Sequence, residues 1–251
     1  MKRILLTGVF AVACYLFFLL SQCPVARVLP WFPLPPGLVL SGPSGTLWQG
    51  DFEQVMWRGK LLQKVGWRLP LSSVLLFDPV IELEFKDRNT LQGQAELGWA
   101  SGIRWRDVDL RADAAWLLSQ APMPLPVPVT ATGDVRLQLA ELIVTPQQCV
   151  TLAGKLLWRG AEVQSPMGAL RLDDAMAQLS CEQGKWVAKV QQDSPQLKLN
   201  GRGELDFKGN YSFQGTLTPG VELPPSFAQG MSFLGQRDSQ GAIRLNYVGR
   251  I

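Results

Sequence analysis

The sequence predicts an all-β fold, a long curved antiparallel meander that is groove-like or partly closed, preceded by one N-terminal transmembrane helix. Three observations predict it: an almost uninterrupted apolar run at residues 4–20, alternation of apolar and polar residues with period two after residue 39, and glycines at intervals that suit hairpin turns. The expected organisation is a cytoplasmic N-terminus at 1–3, a transmembrane anchor at 4–22, a Pro-rich periplasmic linker at 23–38 and a periplasmic β domain at 39–251.

The apolar run has the length and the flanking charges of a membrane anchor. A helix over residues 4–20 is about 25 Å long at 1.5 Å per residue, enough to cross the hydrocarbon core once flanking residues contribute. Lys2 and Arg3 lie on the short N-terminal side of the run. Arg27 lies on the other side and only slightly reduces this excess of positive charge at the N-terminus. We therefore expect a single span in the inner membrane, with the N-terminus cytoplasmic and the bulk of the chain periplasmic.

Two other interpretations of the N-terminal segment stay open. A cleaved signal peptide would be processed after Ala26, which puts Pro24 where a small residue is preferred. A lipoprotein would use Cys23, and Gln22 directly before it argues against lipidation. The length of the apolar run favours the uncleaved anchor over both.

Period-two alternation predicts the strands. In each segment apolar side chains occupy one face and polar side chains the other, which is typical of a half-buried strand. Because glycines separate the segments at short intervals, we expect the strands to pair with their sequence neighbours. The clearest alternating segments are residues 81–86, 135–139, 197–199, 204–208 and 243–247.

One short helix and one boundary interrupt this pattern. Residues 113–120 begin with an aspartate and continue with good helix formers over about two turns. The proline-rich run at 122–128 must be extended, because proline fixes φ and donates no hydrogen bond. It predicts a division of the β domain into halves 39–121 and 129–251.

Two cysteines lie in the β domain. Cys14 and Cys23 belong to the N-terminal segment, which leaves Cys149 and Cys181 as the pair that an oxidising periplasm would join. Such a bridge closes a loop of about 30 residues and stabilises the fold by about 3 to 4 kcal/mol in the chain-entropy model. Two unpaired buried thiols are the alternative.

Composition excludes several classes of function. The chain has no histidine, so it lacks the commonest general base and transition-metal ligand, and two cysteines alone make a poor zinc site. The 24 basic and 21 acidic residues give a net charge of +3 that is spread along the chain. Nucleic acids bind concentrated basic stripes, so we expect no nucleic-acid partner, no metal and no cofactor.

The sequence shows no set of catalytic residues. The nearest approach to a serine elbow, residues 230–235, has the wrong spacing and no histidine base. Glu82 and Glu84 lie on the polar face of a strand, and Asp173 and Asp174 point to opposite faces, so neither pair is arranged for glycoside hydrolysis. We predict that the chain is not an enzyme.

Nine tryptophans are an unusual feature of the composition. We expect them to cover the buried face of the sheet, because a large aromatic side chain buries much apolar area. A trough that accepts a lipid tail or a partner's strand is the alternative.

The segment 35–50 carries the sharpest motif, Gly45-Thr46-Leu47-Trp48-Gln49-Gly50. With this motif the chain resembles the protein N family of the bacterial type II secretion system, the general secretion pathway. The length, the N-terminal anchor, the β-rich remainder and the cysteine pair agree with the resemblance.

The resemblance implies an accessory inner-membrane component that supports export of folded periplasmic proteins across the outer membrane through protein–protein interaction. Its expected partners are other type II secretion proteins of the inner membrane, together with the membrane itself. The glycine-bounded strands are also similar to AsmA-type periplasmic proteins, and this architectural likeness makes a lipid-binding groove the alternative function.

Overall fold

The structure is a computed structural model that describes residues 2–31, 34–57, 59–87, 90–99, 102–120, 128–231, 237–239 and 241–250. The chain divides into two compact units, which we call the N-terminal unit (Met1–Asp87) and the C-terminal unit (Arg88–Ile251). The run 121–127 lies outside the described residues, so the division into halves at 122–128 stays a prediction.

Helix α1 (Lys2–Ser21) occupies the apolar run. Within the described residues no helix is long and apolar enough to cross a membrane. The structure therefore confirms a helix at this position and does not confirm the transmembrane span predicted at 4–22. After α1 come the short helix α2 (Val25–Val28) and a 3₁₀ turn (Leu29–Trp31).

The N-terminal unit continues as an antiparallel meander of short strands. Strand β1 pairs with β2, β2 with β3, and β3 with β4. The short helix α3 connects β3 to β4. The bounds are β1 (Leu38–Gly45), β2 (Gln49–Trp57), β3 (Lys60–Arg68), α3 (Leu71–Leu75) and β4 (Val80–Lys86).

The C-terminal unit is also an antiparallel meander, with strands of 8 to 17 residues. Each of its strands pairs with its sequence neighbour, as the hairpin spacing predicts. Among the described residues β13 pairs only with β12 and, at Ile243, with Arg237, so this meander does not close. The bounds are β5 (Leu91–Gly98), β6 (Ile103–Asp113), α4 (Ala114–Ser119), β7 (Thr130–Val144), β8 (Cys149–Ser165), β9 (Gly168–Glu182), β10 (Lys185–Asp193), β11 (Leu197–Leu205), β12 (Asn210–Pro219), α5 (Pro225–Gly230) and β13 (Ile243–Arg250).

Helix α4 forms where the sequence predicts it. The side chain of Asp113 accepts a hydrogen bond from the amide of Ala115 at 2.7 Å and so caps the helix. By contrast, the strand predicted at 204–208 is wrong beyond Leu205. There the Asp206 carboxylate accepts hydrogen bonds from the amides of Lys208 and Asn210, both at 2.8 Å, and holds a tight turn.

A cluster of buried apolar residues lies at one end of the C-terminal meander. Ile243 is fully buried and packs with Leu197, Leu217 and Met231. The prediction that tryptophans cover the buried face is wrong, because all nine are half-buried or exposed. Branched aliphatic residues and alanine make up most of the buried apolar positions.

Candidate functional site

The Gly45–Gly50 motif forms the hairpin turn between β1 and β2. Gly45 pairs with Gly50, and the amide of Thr46 donates to the carbonyl of Gln49 at 2.9 Å. The Thr46 hydroxyl accepts a hydrogen bond from the amide of Trp48 at 3.3 Å. The threonine thus fixes the three residues between the strands, as hydroxyl side chains commonly do in turns.

Both glycines of the motif are required by close approach of other atoms. Gly45 has a φ of +97°, and a Cβ there would lie 2.5 Å from the Gln49 carbonyl oxygen. At Gly50 a Cβ would lie 2.6 Å from the ring of Trp67, which covers this glycine and stacks on Phe52 with a centroid distance of 4.3 Å. Any side chain at either position would displace the turn or the ring.

The turn also holds the C-terminal end of α1. The indole N–H of Trp48 donates to the carbonyl of Leu20 at 2.9 Å, and the amide of Leu47 donates to the carbonyl of Cys23 at 2.9 Å. Thr46 adds a β-bridge to Pro24. The last carbonyls of a helix have no partner within it, so Trp48 supplies a cap from a distant segment. We call this set of contacts the helix–turn joint.

Above this joint most of the described apolar side chains of α1 are largely exposed. Those of Phe10, Tyr15 and Phe18 are 64 to 70% exposed, although all three are aromatic. Val12, Leu19 and Leu20 are more than half exposed. This is a large apolar surface for one helix, and surfaces of this kind mark a site of contact with protein or membrane.

One face of the C-terminal unit is an apolar groove of about 520 Å³. Large side chains in it lie over glycines: the ring of Phe213 covers Gly201 and Gly215, and Leu139 covers Gly154. Because these glycines lack a Cβ, the rings and branches lie flat against the sheet. The glycines at 201 and 215 therefore lie inside strands, not in the hairpin turns that their spacing suggested. The groove is further lined by Leu137, Leu142, Leu152, Leu179, Trp186 and Leu205.

The opposite face of β9, β10 and β11 carries a charge network around Arg202. Its guanidinium lies 2.7 Å from Glu182 and 3.1 Å from Glu204, and Lys185 lies 3.3 Å from Glu204. Hydrogen bonds from Arg202 lower the pKa of both carboxyls below the ordinary glutamate value. Each pair is partly exposed, so each contributes little to stability, and the network fixes the arrangement of this face.

A second ion pair joins β6 to β7. Arg136 donates to both carboxylate oxygens of Asp109, one of them from Nε at 2.7 Å. This hydrogen bonding lowers the pKa of Asp109. Asp109 and Glu182 line the same polar concavity on the charged face.

Cys149 and Cys181 form the predicted disulfide, with their Cα atoms 5.7 Å apart. The bridge ties the start of β8 to the end of β9, across a sequence separation of 32. It lies in the same unit as the groove and the charge network. Cys14 and Cys23 are free.

The acidic residues considered for catalysis lie in ordinary structural positions. Glu84 is paired with Lys86 at 3.3 Å, and Glu82 lies 3.9 Å from Arg68. Asp174 accepts a hydrogen bond from the amide of Gly160 where the pairing of β8 and β9 is irregular. The described part of the chain contains no cluster of acidic or cysteine side chains that could hold a metal ion. Residues 232–236 lie outside the described residues. They include Ser232, the serine of the segment 230–235 that has the wrong spacing for a serine elbow.

Strand β13 presents an open edge. On one side this strand pairs with β12, with Tyr247 opposite Phe213. On the other side, residues 244–250 have no partner strand among the described residues. Val248 is 78% exposed and Tyr247 44% exposed on this strand. An open edge of this kind offers backbone donors and acceptors to an added strand.

Comparison with known proteins identifies one family. The family model for type II secretion system (T2SS), protein N, matches residues 36–246. The chain is similar to type II secretion system protein N of Aeromonas hydrophila, 40% identical over 251 residues, with 100% of this chain and 99% of the relative covered. It is also similar to type II secretion system protein N of Pectobacterium carotovorum subsp. carotovorum, 36% identical over 254 residues, with 100% and 99% covered.

A third relative, type II secretion system protein N of Klebsiella pneumoniae, is 35% identical over 251 residues, covering 99% of this chain and 97% of the relative. No solved structure matches the chain. The AsmA-type likeness predicted as the alternative is not supported by these comparisons.

Proposed function

This chain belongs to the type II secretion system protein N family, and we propose on that premise that it is an accessory inner-membrane component of the secretion machinery. It supports the export of folded periplasmic proteins across the outer membrane by binding other secretion-system proteins. No catalytic step is part of this role. The observation that carries it is the family match over residues 36–246, together with surfaces suited to binding.

Membrane attachment is assigned to α1. The support is the apolar sequence from residue 4 to residue 20, the two basic residues ahead of it and the exposed aromatic side chains of Phe10, Tyr15 and Phe18. Insertion into a bilayer would cover the exposed surfaces of these side chains. The C-terminal unit then lies on the periplasmic side, where its disulfide is maintained.

Partner binding is assigned to the open edge of β13. Strand addition gives affinity through backbone hydrogen bonds and selectivity through alternate side chains, and Val248 and Tyr247 supply exposed apolar contacts beside that edge. In an antiparallel pair, adjacent residues send their N–H groups to opposite sides. The backbone N–H of one of the two residues Asn246 and Tyr247 therefore bonds to β12, and the N–H of the other points to the open edge.

Two proline variants in the full chain test this assignment. Asn246→Pro and Tyr247→Pro each remove one N–H, and the variant that loses a β12 bond is recognised by its lower thermal unfolding midpoint. We expect the other variant to unfold at the temperature of the unchanged chain and to lose co-purification of secretion-system proteins from membranes. Asn246→Ala, which changes an exposed side chain on the same strand and keeps every backbone donor, is the matched control.

The wider role is tested in a strain that carries this secretion system. Deleting the gene should reduce export, and expression of the full chain should restore it. Normal export in the deletion strain, together with no secretion-system protein recovered with the chain from membranes, would overturn the proposed function. Recovery that survives both proline variants would remove β13 as the docking edge and leave the family role in place.

A further inference from the structure

A second apolar surface lies in the N-terminal unit, in the connection from β3 to β4. We call residues 69–77 the apolar loop; it contains α3 and no charged residue, while Arg68 and Asp78 flank it. Leu75 is 76% exposed, Leu76 is 77% exposed and Phe77 is 91% exposed. Few water-soluble surfaces expose three consecutive large apolar side chains to this extent.

The strand register places the apolar loop at the same end of the meander as the helix–turn joint. Arg68, the last residue of β3, pairs with Gln49 of β2 and with Glu82 of β4. Directly after it, the amide of Leu69 donates to the carbonyl of Trp48 at 2.7 Å. Trp48 is the residue whose indole holds the end of α1, so the helix end and the apolar loop are attached to one turn.

The amides at the C-terminal end of the apolar loop donate to carbonyls within the same segment. The amide of Leu76 donates to the carbonyl of Ser72, that of Phe77 to Val74 and that of Asp78 to Ser73, at 3.1 to 3.2 Å. The hydroxyl of Ser73 donates to the carbonyl of Pro70 at 2.8 Å. A segment that enters lipid must pair its polar groups internally, because the bilayer core offers none in exchange.

Phe77 is also held in an unfavourable backbone conformation. Its φ is +57°, in the left-handed region that costs a bulky residue about 1 kcal/mol or more. Such a conformation persists where the surroundings or a function favour it. In water, Phe77 would combine a strained backbone with an exposed phenyl ring.

We propose that the apolar loop inserts into the lipid–water boundary of the membrane that holds α1, as a second point of attachment for the β domain. The proposal rests on the proposed membrane attachment of α1. Continuity with the helix end selects lipid over a protein partner, since a protein interface needs a polar rim with free hydrogen-bonding groups. Here no charge occurs between residues 69 and 77, and the amides of residues 76 to 78 already have partners.

The test uses the full chain in vesicles of phosphatidylethanolamine and phosphatidylglycerol whose acyl chains are brominated at a shallow or a deep position. Three single-thiol versions carry an environment-sensitive fluorophore: native Cys14 with Cys23→Ser, Leu76→Cys with Cys14→Ser and Cys23→Ser, and Leu61→Cys in that same background. The disulfide stays oxidised and unlabelled. Leu61 is the matched control, because it is 40% exposed at the opposite end of β3.

We expect the label at residue 76 to lose most of its fluorescence with shallow bromines, the label at Cys14 to be quenched with deep bromines, and the label at residue 61 to be unaffected. Quenching at Cys14 without quenching at residue 76 would overturn the inference and leave the anchor intact. No quenching at Cys14 would instead overturn the membrane attachment on which it rests. A blue-shifted but unquenched label at residue 76 would mean that a second copy of the chain covers the loop, which also contradicts the proposal.

Discussion

The two units differ in where they keep their apolar side chains. In the N-terminal unit only Val25 and Val65 are buried among the described apolar residues, while Leu76 and Phe77 are more than three-quarters exposed. The C-terminal unit buries 16 apolar residues among those described, and Ile243 is fully enclosed. The first unit therefore depends more than the second on cover from outside itself.

The units also differ in how their strands are held together. Strands β7, β8 and β9 have 15 to 17 residues. The disulfide joins β8 to β9, and the Arg202 network joins β9, β10 and β11. Strands β1 to β4 have 7 to 9 residues, and their contacts include the helix–turn joint. We infer that the C-terminal unit supplies the stability of a binding scaffold, while the N-terminal unit connects that scaffold to α1.

The largest effect is expected from the disulfide. Replacing Cys149 and Cys181 by serine together should lower the free energy of unfolding of the C-terminal unit by about 3 to 4 kcal/mol, because the unfolded chain regains the entropy of the open loop. Denaturant unfolding of the full chain under oxidising conditions measures it. Cys14→Ser and Cys23→Ser form the control pair, and an equal loss in that pair would show that the stabilisation is not due to the bridge.

The core of the C-terminal unit gives the next effect. Ile243→Ala should cost about 3 kcal/mol, since it removes buried methylenes and leaves a cavity beside Leu197 and Leu217. The thermal unfolding midpoint reports it, with Val248→Ala on the same strand as an exposed control that changes stability by less than about 0.5 kcal/mol. Equal effects of the two substitutions would mean that this end of the unit is not its core.

A smaller and local effect is expected at the helix–turn joint. Trp48→Phe keeps an aromatic ring but loses the hydrogen bond to the Leu20 carbonyl, which is worth about 1 kcal/mol. Hydrogen exchange of the full chain should show faster exchange at residues 20–24 and 46–48 only. Trp31→Phe, at a tryptophan that is 83% exposed, should leave exchange there unchanged. If both variants behave alike, the indole does not hold the helix end.

The smallest effect is the acid dependence of the charge network. The pKa values of Glu182 and Glu204 are lowered in the folded chain, mainly by hydrogen bonds from Arg202, so their stabilisation is complete above the unfolded glutamate pKa of about 4.3. It is lost as the pH falls through the lower folded values. The unfolding midpoint should therefore drop as the pH falls below the unfolded glutamate pKa, and the midpoint of Arg202→Gln should drop less over the same interval. An identical acid profile for the variant would exclude a role for this network.

Local patterns predict the strands and the capped helix α4, because alternation and an aspartate cap act within a few residues. The cysteine pair follows from the compartment expected for the β domain. In contrast, the bond between Trp48 and Leu20 joins residues 28 positions apart, and nothing near either residue signals it. The charge network around Arg202 depends on the register of three strands, which alternation alone does not determine.

The turn at Asp206 escaped prediction for a different reason. Residues 204–208 alternate as a strand does, but the aspartate side chain competes for the backbone amides and ends β11 at Leu205. The tryptophans were assigned to the core by their apolar area. In the structure the indole N–H of Trp48 and that of Trp158 each donate to a backbone carbonyl near the surface, which keeps the rings at the periphery.

Hydrogen exchange of the full chain in phosphatidylethanolamine and phosphatidylglycerol vesicles, resolved by peptide mass spectrometry, tests the contrast between the units most directly. The slowest amides should lie in β8 to β11 of the C-terminal unit, and β1 to β4 should exchange faster, because local opening is easiest where few apolar side chains are buried. Amides of β2 and β3 that exchange as slowly as those of β9 and β10 would contradict the account.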